Sequence, residues 1–289
     1  MLERLARSAL HNAGLLHIIR SLHRSSLRIL MFHSFLPERP GLRETLARRC
    51  EYLNRSYHPV SLTEAAHAWR TGARLPANAV AITVDDGYRD FYEIAYPIFA
   101  AHKIPATVYL VTDFMDGKLW LWTDQLRYAN AEHLADQAKL LPDRQRRRLL
   151  ETLEFPAAPP PEYAPLTWDS VREMAANGIE FGAHTRTHPI LSRVEDEAAL
   201  RDEIEGSKLR IQQETGRPVL HFCYPNGRPE DIGPRARACV RAAGYETAVV
   251  SEEGFNFPGA DPFHLRRIPA DPAYTDRFFA EYLAGVRVR

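Results

Sequence analysis

Cysteine is scarce in this chain, with only Cys50, Cys223 and Cys239 present. Their odd number, wide spacing and lack of any Cys-x-x-Cys pair exclude a disulfide framework and a zinc ribbon, and fit a reducing compartment. A metal in such a chain must be held by histidine and carboxylate. Net charge is missing too, because Lys+Arg 37 balances Asp+Glu 37. With neither a basic field nor an acidic tail, nucleic acid is not an expected partner. Long apolar runs are also absent from the start of the chain: the best stretch, Ala13 to Ile19, is interrupted by His17. Neither a secretory signal nor a spanning helix is expected from it, which points to the cytoplasm.

What is present suffices for a sizeable core. A chain of 289 residues with 45% hydrophobic content suits one large α/β barrel or two ordinary domains. Leu2, Leu5, Ala9, Ala13, Leu16 and Ile19 recur at spacings of three and four, with Arg4, Arg7 and His11 off that stripe, so residues 2–23 read as an amphipathic helix. Docking onto the domain surface is its expected use. The alternative is a peripheral membrane contact, because Arg20, Arg24 and Arg28 add positive charge beside the apolar face. Further on, apolar runs over 27–33, 79–84, 106–111, 179–183, 219–224 and 247–250 predict strands. Helices are predicted between them, over 42–53, 88–102, 168–177, 195–214 and 234–243, and from a Ser61/Glu64 capping box to Trp69. This alternation predicts a parallel sheet. Residues 116–165 break it with Trp120, Trp122, the basic cluster Arg144, Arg146, Arg147 and Arg148, and a proline-rich return. They read as a helical excursion without an apolar core of its own, its arginines on a solvated face. The expected organisation is an N-terminal helical segment over 1–26 and a single-domain α/β barrel over 27–289.

Four polar clusters share one position in this scheme. His33, Asp85-Asp86, His184 and Tyr224-Pro225-Asn226 each stand where a predicted strand runs out at its C-terminal end, the rim on which parallel barrels gather their active sites. The strand Ala79 to Val84 is a continuous run of small and β-branched residues that ends in two carboxylates and Gly87. An Asp-Gly pair alone makes a turn; beside His184 and His188 it offers more. Two imidazoles and one carboxylate of the pair form a three-ligand site with a position left for water, the catalytic style of zinc site. The other aspartate can then take the proton of the attacking water.

The stretches Ile82-Thr83-Val84-Asp85-Asp86-Gly87, His184-Thr185-Arg186-Thr187-His188-Pro189 and Phe222-Cys223-Tyr224-Pro225-Asn226-Gly227 occur in that order. Together they resemble the first three motifs of the polysaccharide deacetylase family, carbohydrate esterase family four with its NodB-homology domain. The resemblance implies a distorted (β/α) barrel of about seven parallel strands and metal-dependent removal of acetyl groups from an acetylated glycan or sugar precursor, with Zn2+, Co2+ or Ni2+ as the ion. It implies Asp85 as general base, Asp86, His184 and His188 as metal ligands, and the backbone N–H of Asn226 as an oxyanion donor. Tyr88, Trp120, Trp122, Tyr224 and Pro225 are the candidate sugar contacts. Two departures stand out. The arginine that precedes the third-motif proline by two residues and orients the base is replaced by Cys223, and Arg267 or Arg266 is the candidate substitute. The usual C-terminal motif with the acid histidine is absent, and Ile29-Leu30-Met31-Phe32-His33 resembles that motif moved to the N-terminus, as in the circularly permuted poly-N-acetylglucosamine deacetylase branch. His33 is then the general acid. The expected reaction is N-deacetylation in surface or exopolysaccharide synthesis, with O-acetyl ester removal or a non-catalytic glycan-binding barrel as rivals.

Overall fold

A computed structural model of the protein describes residues 14–286. Seven parallel strands close into a barrel: β1 (Arg28–Phe32), β3 (Ala79–Val84), β4 (Thr107–Leu110), β5 (Glu180–Ala183), β6 (His221–Cys223), β7 (Thr247–Glu253) and β8 (Leu265–Pro269). Closure comes from β1, which pairs with β3 in the register Arg28↔Val80 to Phe32↔Val84 and with β8 through Leu30↔Ile268. The two-residue strand β2 (His58–Pro59) adds to the N-terminal end of β3. All pairs are parallel, so every strand ends at the same rim.

The alternation of side chains along a strand sorts two cores. Val80, Ile82 and Val84 of β3 join the large outer core against the helices, whereas Ala79 and Ala81 join a smaller inner set with Leu27, Ile29, Tyr109, Cys223, Val249 and Leu265. Continued by the same period of two, the inner phase carries Asp85, His33, His184 and Arg267. Gly182 of β5 shares it, and a Cβ there would come within 2.5 Å of the Tyr109 ring and 2.8 Å of the His221 carbonyl. Glycine at this position is what lets Tyr109 fill the lumen.

The structure departs from the sequence expectations in several places. β8 and the C-terminal helix Asp276–Ala284 were not anticipated. The segment 88–102 is a π-helical turn, Phe91–Ala95, before a short α-helix, Tyr96–Ala101, because Pro97 withholds a backbone donor. The segment 195–214 is likewise split by a π-turn, Asp202–Gly206. The helix that contains 234–243 begins at Pro229 and breaks at Gly233. The excursion does have an apolar cluster, built on Trp122, Leu126, Ala138, Leu150 and the barrel residue Ile190. Arg146 is correspondingly not on a solvated face: it is buried over the Trp122 ring and paired with Asp143, while Arg144 and Arg148 are exposed. Of the expected helix over 2–23, residues 2–13 lie outside the described residues, and Leu15–Leu22 is helical. Among the described residues no helix is long and apolar enough to cross a membrane.

Because the Gly182 site has no spare room, Gly182→Ala is expected to cost about 1–3 kcal/mol through overpacking. A urea unfolding midpoint equal to that of the parent chain would show that Tyr109 can move aside.

Candidate active site

The barrel ladder runs one residue past its strands at the rim. Asp85 donates its N–H to the Phe32 carbonyl at 2.9 Å, and His184 donates to Leu110 at 2.9 Å, so both are fixed by sheet geometry before any side chain acts. Asp85 is fully buried and meets Arg267 in a two-pronged pair, Nη1 to Oδ1 and Nη2 to Oδ2, both 2.7 Å. The remaining guanidinium N–H groups reach the Val250 carbonyl at 2.9 Å, the Thr83 hydroxyl at 3.2 Å and Cys223 Sγ at 3.3 Å. Burial pushes the Asp85 carboxyl up, but Arg267 and then His33 outweigh it and hold the group below its ordinary range. Of the two candidate arginines, Arg267 therefore faces Asp85, while Arg266 is exposed.

Asp86 adopts the left-handed region at φ 74°, followed by Gly87 at φ 84°, which swings its carboxylate away from Asp85 and toward the histidines. Asp86 Oδ1 lies 3.5 Å from His184 Nε2 and 3.6 Å from His188 Nε2, and the two imidazole nitrogens are 3.2 Å apart. Four ligands at the usual zinc bond lengths stand about 3.3 Å from one another in a tetrahedron. The three observed separations fit that spacing. His184 Nδ1 lies 2.7 Å from the Cys223 carbonyl, an acceptor that fixes the ring proton on Nδ1 and turns the Nε2 lone pair to the cluster. Burial and the neighbouring His184 push the His188 imidazole down to about 3, so it is neutral near pH 7. Burial works in the same sense on His184, but Cys223 and Asp86 outweigh it and hold that imidazole well above its ordinary value, so a cation binding at Nε2 must displace a proton shared with Asp86. The donor set thus suits a divalent cation with one carboxylate and two imidazoles.

His188 sits at φ 57° and Thr185 at φ 67°, in a turn held by a residue that sequence reasoning missed. The buried carboxylate of Glu203 accepts from the N–H groups of Arg186 and Thr187, both at 2.9 Å, and from the Thr187 hydroxyl at 2.6 Å. Only its place one helix later in the chain could have signalled it.

A cavity of ≈ 890 Å³ opens over these groups. His33, half exposed, lines it with Nε2 3.7 Å from Asp85 Oδ2; Tyr88, Tyr224 and Asn226 line it as well. Asn226 has φ 59° in a tight turn where Gly227 donates to the Pro225 carbonyl. Three candidate sugar contacts are not among the residues that line this cavity, and the two that are, Tyr88 and Tyr224, show it little more than a ring edge. Trp120 is buried against Tyr128, Phe155 and Tyr163, Trp122 is buried in the excursion cluster, and Pro225 is buried beneath the rim. Each is apolar surface used for packing. The excursion instead offers Asp124, Arg127, Glu162 and Tyr163 to the cavity. Asp124 accepts from the Tyr88 hydroxyl at 2.6 Å and from Arg127 at 2.9 Å; burial, with Asp86 nearby, pushes its carboxyl up to about 6.

Comparison with known proteins places this geometry in context. The family model described as polysaccharide deacetylase matches residues 72–248. YxkH of Bacillus subtilis (strain 168), named for polysaccharide deacetylases, is 22% identical over 266 residues, covering 91% of this chain and 78% of that one. The poly-beta-1,6-N-acetyl-D-glucosamine N-deacetylase of Escherichia coli (strain K12) is 42% identical over 60 residues, 21% of this chain and 9% of that protein. The solved structure of the Streptococcus pyogenes deacetylase PplD in complex with acetate shares the fold with a TM-score of 0.67 at 19% identity, covering 89% of this chain and 98% of that one.

The buried pair sets a stability expectation. Arg267→Ala leaves the Asp85 charge uncompensated and is expected to cost about 3–5 kcal/mol at neutral pH in urea unfolding. Since the folded-state value of Asp85 is depressed, its contribution is present above the ordinary carboxylate range and is lost as pH falls through the lower folded value. A loss under about 1 kcal/mol would mean that water reaches Asp85 and the pair is not a buried one.

Proposed function

The chain belongs to the polysaccharide deacetylase family, and from that premise we propose that it hydrolyses the N-acetyl group of an amino-sugar glycan or glycan precursor, in surface or exopolysaccharide synthesis, with a divalent metal held by Asp86, His184 and His188. The observation that carries this reading is the convergence of those three ligand atoms beside an Arg267-held carboxylate and a histidine, all on one cavity. A bound zinc-like cation would supply Lewis acidity and bring the pKa of water to roughly 7.

The remaining steps fall to the chain's own residues. Asp85, kept ionised by Arg267, accepts the proton of the water that attacks the amide carbonyl; Oδ1 retains a lone pair beyond the one engaged by the guanidinium, while Oδ2 also accepts from the Cys223 thiol at 3.5 Å. The backbone N–H of Asn226, in the turn after Pro225, faces charge developing on the carbonyl oxygen. Collapse of the tetrahedral intermediate breaks the C–N bond, and the amine leaves only if protonated. His33 stands in the cavity 3.7 Å from Asp85 and is assigned that proton delivery. An amide needs such an acid more than an ester does, which favours the N-acetyl substrate, as does the substrate named for the Escherichia coli relative. Tyr88, Tyr224 and Asn226 line the space for the sugar.

Acetate release from N-acetylglucosamine oligomers is expected to cease with a chelator and return with Zn2+ or Co2+; unchanged release after metal removal rules out the mechanism. Asp85→Asn is expected to lower turnover by about two to four orders of magnitude with the metal content intact. His184→Ala is expected to lose the metal itself. Loss of metal from Asp85→Asn instead, read by elemental analysis, would reverse the two aspartate roles.

A further inference from the structure

The barrel has a second opening at the end away from Asp85 and the histidines. The segments that lead into β1, β3, β7 and β8 border a groove of ≈ 1030 Å³ there. Because the strands are parallel, groove and active-site cavity lie at opposite ends of one axis. Trp69, Leu75 and Phe263 give the groove an apolar lining. Arg24, Arg70 and Arg74 stand exposed along it, against Glu246 as the carboxylate among its lining residues. Apolar surface continues beyond it: Leu22 and Phe257 are 73% and 47% exposed, and the Phe257 ring is 6.3 Å from that of His23.

Charge is therefore separated along the barrel although the chain as a whole is neutral. The active-site cavity is lined by Glu38, Asp85, Asp86, Asp124 and Glu162 against Arg127 and Arg267, and the far groove by three arginines against one glutamate. We propose that this N-terminal end of the barrel is a docking surface for an anionic lipid bilayer. Arginine stems and the exposed Leu22 and Phe257 suit the headgroup–acyl boundary, where the guanidinium groups meet lipid phosphates. A second copy of the chain fits less well, since a two-fold contact sets arginines against arginines with a single glutamate per copy to offset them. At the other end Asp85, Asp124 and Glu38 are paired with Arg267, Arg127 and Arg43, so the arginines of the far groove decide which end meets the bilayer, and docking there aims the cavity away from it. The inference uses the charge and shape of the far end and does not depend on the deacetylase reading.

The test is co-sedimentation of the full chain with vesicles of about one third phosphatidylglycerol in phosphatidylcholine, at low salt where the charge is unscreened. The expected result is pelleting with these vesicles and not with pure phosphatidylcholine. Arg70→Glu with Arg74→Glu is expected to weaken binding at least about tenfold, and Phe257→Ser to weaken it as well, while thermal unfolding and acetate release from soluble oligomers stay unchanged. Three results overturn the proposal: no pelleting on anionic vesicles, pelleting indifferent to the arginine pair, or a concentration-dependent dimer in sedimentation velocity that the same variants abolish.

Discussion

The Asp85–Arg267 pair is the constraint on which the rim depends. Taking two ions out of water costs several kcal/mol each, and the cost is recovered only if the geometry is good and the spare donors are matched. A guanidinium has five N–H donors, and here they find five acceptors: two carboxylate oxygens, the Val250 carbonyl, the Thr83 hydroxyl and Cys223 Sγ. These come from β3, β6 and β7, so a side chain rooted on β8 ties together strands from around the barrel. Cys223 belongs to that solution. A long cation at 223 would compete for the volume that the Arg267 head occupies, whereas a thiol 3.3 Å away leaves it free. The arginine absent from the third motif is thus matched by one entering from two strands away.

Backbone strain is concentrated where the candidate ligands are. Among the described residues seven non-glycine positions have positive φ, and four of them are Asp86, Thr185, His188 and Asn226. Holding an ordinary residue in that region costs roughly 1–3 kcal/mol, so something must over-determine each one. For His188 it is the Glu203 carboxylate, which gathers two N–H groups and a hydroxyl of the turn, together with the His188 N–H bond to Thr185 Oγ1 at 3.0 Å. For Asp86 it is the turn's own bonds, in which Gly87 donates to the Asp85 carbonyl and accepts from the Leu166 N–H, both at 2.9 Å, at a position where an added Cβ would meet Leu110 at 2.9 Å. The imidazoles and the carboxylate converge because the backbone behind them is held in conformations it would otherwise leave.

Apolar continuity made six barrel strands legible, since a strand buried on both faces writes itself as an unbroken run such as Ala79 to Val84. β8 was illegible for the opposite reason. Its five residues contain Arg266 and Arg267, one exposed and one wholly buried, and no local pattern tells an arginine that points into a lumen from one that points to water. The rim residues could be read because they end strands. Glu203, Asp124 and Arg127 could not, because what gives each its place is a partner across the fold: a turn for Glu203, Tyr88 for Asp124, and Asp124 in turn for Arg127. The same limit misled the reading of Trp120 and Trp122, whose aromatic surface in an irregular segment is equally suited to stacking on a sugar and to packing an insertion.

That insertion is not a separate accessory to the chemistry. Its return strand is stitched to the chain just after Asp86: Leu166 donates to the Gly87 carbonyl and Arg89 to the Ala164 carbonyl, both at 2.9 Å, with Tyr88 bridged to Pro165 between them. Its outgoing helix is tied to the same point through the Tyr88 hydroxyl on Asp124. The wall that supplies Asp124, Arg127, Glu162 and Tyr163 to the cavity is therefore anchored at both ends to the residues that set the backbone of Asp86. The segment that holds a candidate ligand carboxylate in the left-handed region is thus also the anchor of the cavity wall, so one short stretch of backbone, Asp86 to Arg89, fixes both.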